Sequence, residues 1–87
     1  NETPVYPRRI METVLSYQAS KLILAHNHPG GLLRPSNADI AITKKIMTAI
    51  EAIDVKVIDH IIVAGDKYLS FAEEGIMNRL QDDQNIF

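Results

Sequence analysis

Three side chains in "LILAHNHPGGLLRPSNADI", residues 22–40, are of types that bind metal ions: His26, His28 and Asp39. On an extended backbone, residues i and i+2 point to the same face, so the two imidazoles can reach one ion. Two histidine nitrogens and one carboxylate oxygen form a catalytic zinc set that leaves a fourth position for water. Zinc lowers the pKa of that water toward about 7, which creates a nucleophile at neutral pH. These residue types predict a hydrolytic zinc site.

The same residues also fit an ordinary helix start. Ser36-Asn-Ala-Asp39 is typical of a capping box, with Ser36 as the N-cap and an acidic residue three positions later. The helix dipole favours a carboxylate in the first turn in any case. Spacing alone therefore leaves a metal site and a helix cap equally open. The two are compatible, because Ser36 can cap the helix or point its hydroxyl at the water on the metal.

The position of Asp39 on its predicted helix favours the metal. Asp39 continues the apolar stripe of that helix, which steps by three and four residues along one face and comprises Asp39, Ile42, Ile46, Ile50 and Ile53. A carboxylate directed toward the core is costly unless a charge or a metal ion compensates it. We therefore expect Asp39 to face the two histidines.

Helical and strand periodicities predict the elements that must position these residues. The predicted order is a helix over 7–19, a buried strand over 21–25, a helix over 37–53, a strand over 55–64 buried on both sides, a turn at 65–67 into a strand over 68–71, a short helix over 72–77 and a fraying polar tail over 81–85. This order indicates an α/β layered fold. The histidines then lie at the C-terminal end of the first strand, where ligand sites of such sheets form.

Length and composition limit the possible classes of protein. The 87 residues predict one small domain over 1–87, and the chain begins at Asn1 like a fragment of a longer protein. The absence of cysteine excludes disulfides and thiolate metal sites and fits a cytoplasmic protein. No apolar stretch is long enough for a membrane helix. With a net charge of −2 and only the doublets Arg8-Arg9 and Lys44-Lys45, we expect no direct binding of nucleic acid.

The opening stretch resembles a known motif. His26-x-His28-Pro29, then six residues, then Ser36-x-x-Asp39 matches the JAMM (MPN+) motif of zinc metallopeptidases. More narrowly, the segments "LILAHNHPGG", "PSNADIAIT", "VIDHIIVAGDKYLSF" and "YPRRIMETVL" are similar to the bacterial RadC family, whose members are called DNA repair proteins. The similarity covers nearly the whole chain.

The resemblance implies a cytidine-deaminase-like JAMM/MPN domain with a mixed sheet flanked by helices. It implies that His26, His28 and Asp39 bind one zinc ion and that Ser36 stabilises the tetrahedral intermediate of peptide or isopeptide hydrolysis. The general base of the motif is a glutamate on a strand before the first helix. Only Glu2 and Glu12 precede His26 here, and neither fits that place, so we expect the base to lie before Asn1. The alternative is a non-catalytic metal-binding or protein-interaction module of an assembly associated with DNA repair.

Three more residues are candidates for orienting the zinc ligands. Asp59 and His60 are adjacent on the second predicted strand, so they point to opposite faces. Hydrogen bonds to loop backbone are the more ordinary expectation for this pair, and contact with a zinc histidine is the functional alternative. Asn27 either bonds across the loop or stabilises the turn.

Overall fold

The computed structural model describes residues 7–84. The elements follow the predicted order and are α1 (Pro7–Ser16), β1 (Lys21–Asn27), α2 (Asn37–Glu51), β2 (Lys56–Ala64), β3 (Lys67–Ser70) and α3 (Ile76–Gln84). Three helices and a three-stranded sheet confirm the predicted α/β class. Within this described part of the chain, no helix is both long and apolar enough to cross a membrane.

The sheet is mixed and has the strand order β1-β2-β3. β1 pairs in parallel with β2, from Lys21 opposite Lys56 to Asn27 opposite Val63, and α2 makes the crossover that parallel strands require. β3 then returns antiparallel to β2 after a tight turn in which Gly65 has a φ of 63°. The parallel pairing brings the C-terminal ends of β1 and β2 to the same edge of the sheet.

The β1–β2 pairing contains one bulge. Leu22 lies opposite Val57, but the next residue, Ile23, lies opposite Asp59, so Ile58 is an extra residue on β2. A bulge changes which side chains of a strand point to a given face. The buried positions of β2 accordingly pass from Val57 to His60 instead of to Asp59.

One face of the sheet carries the core. Side chains from all three helices pack with this face in a single cluster made of Val14, Ile46, Met47, Ile50, Val55, Val57, Ile62, Phe71, Ile76, Met77 and Leu80. On the opposite face, Ile23 and Tyr68 are 56% and 60% exposed. The prediction that the second strand is buried on both sides is therefore wrong for the described residues. An unbroken run of β-branched residues did not distinguish one covered face from two.

Two helix boundaries also differ from the prediction. α1 ends at Ser16, before a left-handed Gln18 with φ 53°, and not at residue 19 as predicted, so Tyr17 lies outside the helix and is 80% exposed. The last helix begins after Gly75, whose φ of 78° favours glycine, and it continues through residues that we expected to fray.

Two polar side chains, Thr43 and His60, are buried within this core. The Thr43 hydroxyl lies 2.6 Å from His60 Nδ1, and the centroid of the Phe71 ring lies 4.5 Å from that of His60. Burial, together with the neighbouring His26, lowers the pKa of His60 from 6.5 to about 4. His60 is therefore neutral in the folded protein at neutral pH.

This low pKa predicts a loss of stability in mild acid. Above pH 6.5 His60 is neutral in both states, and the full stability is present. As pH falls from 6.5 to about 4, the unfolded chain binds the proton first, so the free energy of unfolding decreases by about 3 kcal/mol. Urea unfolding of the full-length protein at several pH values, with EDTA present, measures this change. The His60→Gln variant should lack this part of the pH dependence, and an identical dependence in both proteins would contradict the assignment.

Candidate metal centre

The end of β1 places both histidines on one side of the chain. His26 is the last but one residue of β1, and His28 follows the strand directly. The His28 backbone N–H donates to the Val63 carbonyl oxygen at 2.8 Å, which extends the pairing with β2 beyond the last strand residue. The extended backbone thus holds the two imidazoles on the same face, with ring centroids 4.6 Å apart.

The start of α2 brings Asp39 to the histidines. The predicted capping box is present: Ser36 Oγ accepts from the Asp39 backbone N–H at 3.0 Å, and Asp39 Oδ2 accepts from the Ser36 backbone N–H at 2.7 Å. Asp39 is only 3% exposed. The cap therefore fixes the carboxylate in a buried position instead of competing with the site.

The three side chains converge on one point. His26 Nε2 lies 3.0 Å from Asp39 Oδ1, and His28 Nε2 lies 3.1 Å from Asp39 Oδ2. Two atoms that each bind zinc at about 2.0 to 2.1 Å in tetrahedral geometry are about 3.3 Å apart. One potential ligand atom from each residue lies within 4.8 Å of the others. This spacing suits one small metal ion.

The protonation of the ring nitrogens also fits a metal. His28 Nδ1 lies 2.9 Å from the Leu32 carbonyl oxygen, and since a carbonyl only accepts, Nδ1 carries the hydrogen and Nε2 the lone pair in the neutral ring. His26 Nε2 is buried and has no hydrogen-bond partner among the described residues, although Asp39 lies close. A lone pair on this buried nitrogen, facing a carboxylate, is costly unless a cation lies between them. The His-His-Asp cluster could therefore bind a metal.

The electrostatics of Asp39 favour its ionised form. Burial acts to raise the pKa of Asp39, but the hydrogen bonds from Ser36 and the proximity of His26 and His28 outweigh burial and lower it. The N-terminus of α2 adds the favourable end of the helix dipole. Asp39 is consequently a carboxylate at neutral pH, as a metal ligand must be.

The other predicted site residues divide into two groups. His60 contacts the cluster, because its Nε2 lies 2.9 Å from His26 Nδ1. Asp59 instead accepts from Ser70 Oγ at 2.6 Å and from the Ala72 backbone N–H at 2.9 Å, where it joins β2 to the chain after β3. Asn27 is exposed on the outer face of β1. No described hydrogen bond joins Asn27 or Asp59 to the metal ligands.

Two groups beside the cluster were not among the predicted site residues: Thr43, which contacts His60, and the Leu32 carbonyl, which contacts His28. Thr43 follows Asp39 by four residues, so it lies one turn further along the same helix face, and this spacing was a usable signal. The Leu32 contact depends on the course of the loop and left no sign in the sequence.

Comparison with known proteins agrees with this geometry. Residues 1–76 match the model of the RadC-like JAB domain. A UPF0758 protein of Pseudoalteromonas translucida is 46% identical over 77 residues, which is 88% of this chain and 34% of that protein. UPF0758 proteins of Thiobacillus denitrificans and Dechloromonas aromatica are 47% and 48% identical over 74 and 77 residues, or 85% and 87% of this chain and 33% and 34% of theirs.

The chain thus spans about a third of the length of these relatives. The match to the family model covers the described fold up to the start of α3, including both histidines, Ser36 and Asp39. The resemblance noted in the sequence is confirmed: this chain belongs to the RadC-like JAB domain family.

Proposed function

We propose that this chain is a zinc-dependent hydrolase domain of the JAMM type that acts on peptide or isopeptide bonds in the cytoplasm. In this proposal His26, His28 and Asp39 hold one zinc ion. The observation that carries it is the convergence of two histidine Nε2 atoms on a carboxylate that is buried and hydrogen-bonded at a helix start.

The donor set favours zinc over the other common divalent ions. Neutral imidazoles with one carboxylate suit zinc, whereas calcium and magnesium prefer shells of oxygen. Bound zinc would supply Lewis acidity that makes water nucleophilic near neutral pH. Asp39 and its two histidines would orient that ion, with the cap on Asp39 fixing the carboxylate.

Ser36 is the candidate for stabilising negative charge on the substrate. Its oxygen already accepts the Asp39 N–H, and a hydroxyl that accepts one bond still has its hydrogen to donate. This hydrogen, beside the N-terminus of α2, would be available to the oxyanion of a tetrahedral intermediate.

The general base must come from outside the cluster that the structure describes. Within residues 7–84, the only potential metal cluster consists of His26, His28 and Asp39, without a glutamate. Glu12 is exposed on α1, and Glu2 lies outside the described residues. This chain covers 34% of a relative's length, so in a protein of that length the base can lie on a part outside this sequence.

The lack of a glutamate in the described cluster favours one second candidate, a non-catalytic metal-binding or protein-interaction module in a DNA-repair-associated assembly. Direct contact with nucleic acid is not part of either proposal. Lys44 lies 3.7 Å from Asp83, so one of the few basic doublets is partly neutralised by an acidic neighbour.

Zinc binding is the first test. We expect the full-length protein to bind one zinc ion per chain, and His28→Ala and Asp39→Asn to weaken the affinity by more than about 100-fold because each removes a ligand. Asp39→Asn keeps an oxygen for the Ser36 N–H, so the cap survives. Competition with a chromogenic chelator measures affinity, and mass spectrometry measures metal content. Asp66→Asn, an exposed turn residue, is the matched control. Unchanged affinity in both ligand variants would refute the site.

Ser36 variants test hydrolysis separately. In zinc-loaded full-length protein acting on a quenched fluorescent peptide library, we expect Ser36→Ala and Ser36→Gly to lower kcat by about 10²- to 10³-fold, since both lack the hydroxyl. Ser36→Thr keeps the hydroxyl and should remain active.

Ser36→Ala and Ser36→Gly both lack the hydroxyl but should differ in stability. Comparing them therefore distinguishes a loss of activity caused by the missing hydroxyl from one caused by weaker folding. Loss of the cap costs about 1 kcal/mol with alanine but only a few tenths with glycine. A loss of activity that followed stability instead of the hydroxyl would contradict the role of Ser36. A protein that binds zinc but cleaves nothing in the library would favour the interaction module.

A further inference from the structure

We propose that Thr43 and His60 fix the tautomer of His26, so that its Nε2 presents a lone pair toward Asp39 before any metal binds. This inference rests on the proposed metal site and concerns residues that are not ligands themselves. Thr43 and His60 are thus positioning residues.

The Thr43 hydroxyl has a single hydrogen to donate and two close neighbours. Thr43 Oγ1 lies 2.7 Å from the Asp39 backbone carbonyl oxygen and 2.6 Å from His60 Nδ1. A carbonyl oxygen only accepts, so the hydroxyl donates its hydrogen there. At its other contact the hydroxyl oxygen must therefore accept, and the hydrogen between Thr43 and His60 belongs to His60 Nδ1.

The hydrogen on His60 Nδ1 determines in turn which nitrogen of His26 is protonated. A neutral imidazole has one N–H, so His60 with a hydrogen on Nδ1 has a lone pair on Nε2. His60 Nε2 lies 2.9 Å from His26 Nδ1, and a hydrogen bond at this distance needs His26 Nδ1 as the donor. Neutral His26 then has its lone pair on Nε2, the atom 3.0 Å from Asp39 Oδ1.

The opposite placement of hydrogens, in which the Thr43 hydroxyl donates to His60, conflicts with two features of the structure. It would direct the Thr43 hydrogen to His60, leaving the hydroxyl and carbonyl oxygens 2.7 Å apart with no hydrogen between them. It would also place a hydrogen on His26 Nε2, which lies 3.0 Å from Asp39 Oδ1 but in a geometry that forms no hydrogen bond. The order in which Thr43 donates to Asp39, His60 to Thr43 and His26 to His60 satisfies every donor in the chain of contacts.

The two histidines reach the same tautomer through different partners. His28 obtains the same tautomer directly, from the backbone carbonyl of Leu32. His26 obtains it through His60 and Thr43, and the chain ends on the main chain of Asp39 itself. Two of the three ligands are thus joined on the side away from the metal, through the protein core.

The tautomer can be read directly by NMR, independently of metal binding or hydrolysis. In metal-free full-length protein labelled with ¹⁵N-histidine at pH 7.5, long-range ¹H–¹⁵N spectra distinguish a protonated ring nitrogen from one with a lone pair. We expect His26 with a protonated Nδ1 and an unprotonated Nε2, and the same tautomer for His60. A hydrogen on His26 Nε2 would overturn the proposal, even if the protein binds zinc and hydrolyses peptides.

Two substitutions at Thr43 test the consequence for metal binding. Thr43→Val keeps the shape but removes the hydroxyl, whereas Thr43→Ser keeps the hydroxyl. We expect Thr43→Val to weaken zinc binding by about 10- to 100-fold and to change the His26 and His60 nitrogen shifts, as loss of a partner that orients a ligand does. Thr43→Ser should restore both. Circular dichroism and thermal unfolding show whether each variant is folded.

The outcomes separate this inference from the metal site as a whole. If His28→Ala abolishes zinc binding while Thr43→Val leaves both affinity and nitrogen shifts unchanged, the site stands and the positioning role fails. If no variant affects zinc, the metal site fails while the tautomer in the parent protein still decides the present proposal. If Thr43→Val does not fold, the parent spectrum and Thr43→Ser remain decisive.

Discussion

The buried carboxylate of Asp39 is the constraint on which the rest of this structure depends. A charge that is 3% exposed must find compensation, and each neighbouring element provides part of it. The start of α2 gives backbone donors and the helix dipole, and the end of β1 gives two imidazole nitrogens at about hydrogen-bond distance. These contributions leave a place for one cation between three side chains. The arrangement that lowers the cost of burying Asp39 is therefore also one that could bind a metal ion.

The topology makes this convergence a consequence of chain order. Because β1 and β2 pair in parallel, the chain must cross back over the sheet between them, and α2 makes this crossover. The C-terminal end of β1 and the N-terminal end of α2 therefore meet at one edge, with only a short turn-rich loop between them. The backbone bond from His28 to Val63 fixes the end of β1 against β2. This pairing positions His26 and His28, and the capping box at Ser36 positions Asp39.

Much of this arrangement could be predicted from residue types and periodicity, and the remainder depends on local geometry. The stripe position of Asp39 indicated its burial, and Ser36 with Asp39 indicated the cap, because both follow from helical spacing. The first helix was predicted to extend to residue 19 instead of Ser16 because periodicity cannot show where a left-handed residue ends a helix. Contact of Asp59 or His60 with a zinc histidine was one of two alternatives, and the sequence could not decide which residue faces inward, since this depends on a bulge that a continuous run of apolar residues does not reveal. Thr43 was overlooked because a small polar residue on a helix face is ordinary until its neighbours are known.

Ile58, the extra residue on β2, separates two stretches of the strand whose core-facing residues have odd numbers in one and even numbers in the other. Odd-numbered residues face the core before it, as Val57 does, and even-numbered residues face the core after it, from His60 to Ala64. Removing one residue at this point would leave every core position on both sides facing as it does now, whereas removing one anywhere between His60 and Ala64 would turn the following side chains outward. Related sequences should therefore lack a residue at Ile58 or Asp59 more readily than between His60 and Ala64. The two residues between Val57 and His60 are the place where the length of the strand can change without turning the core side chains outward.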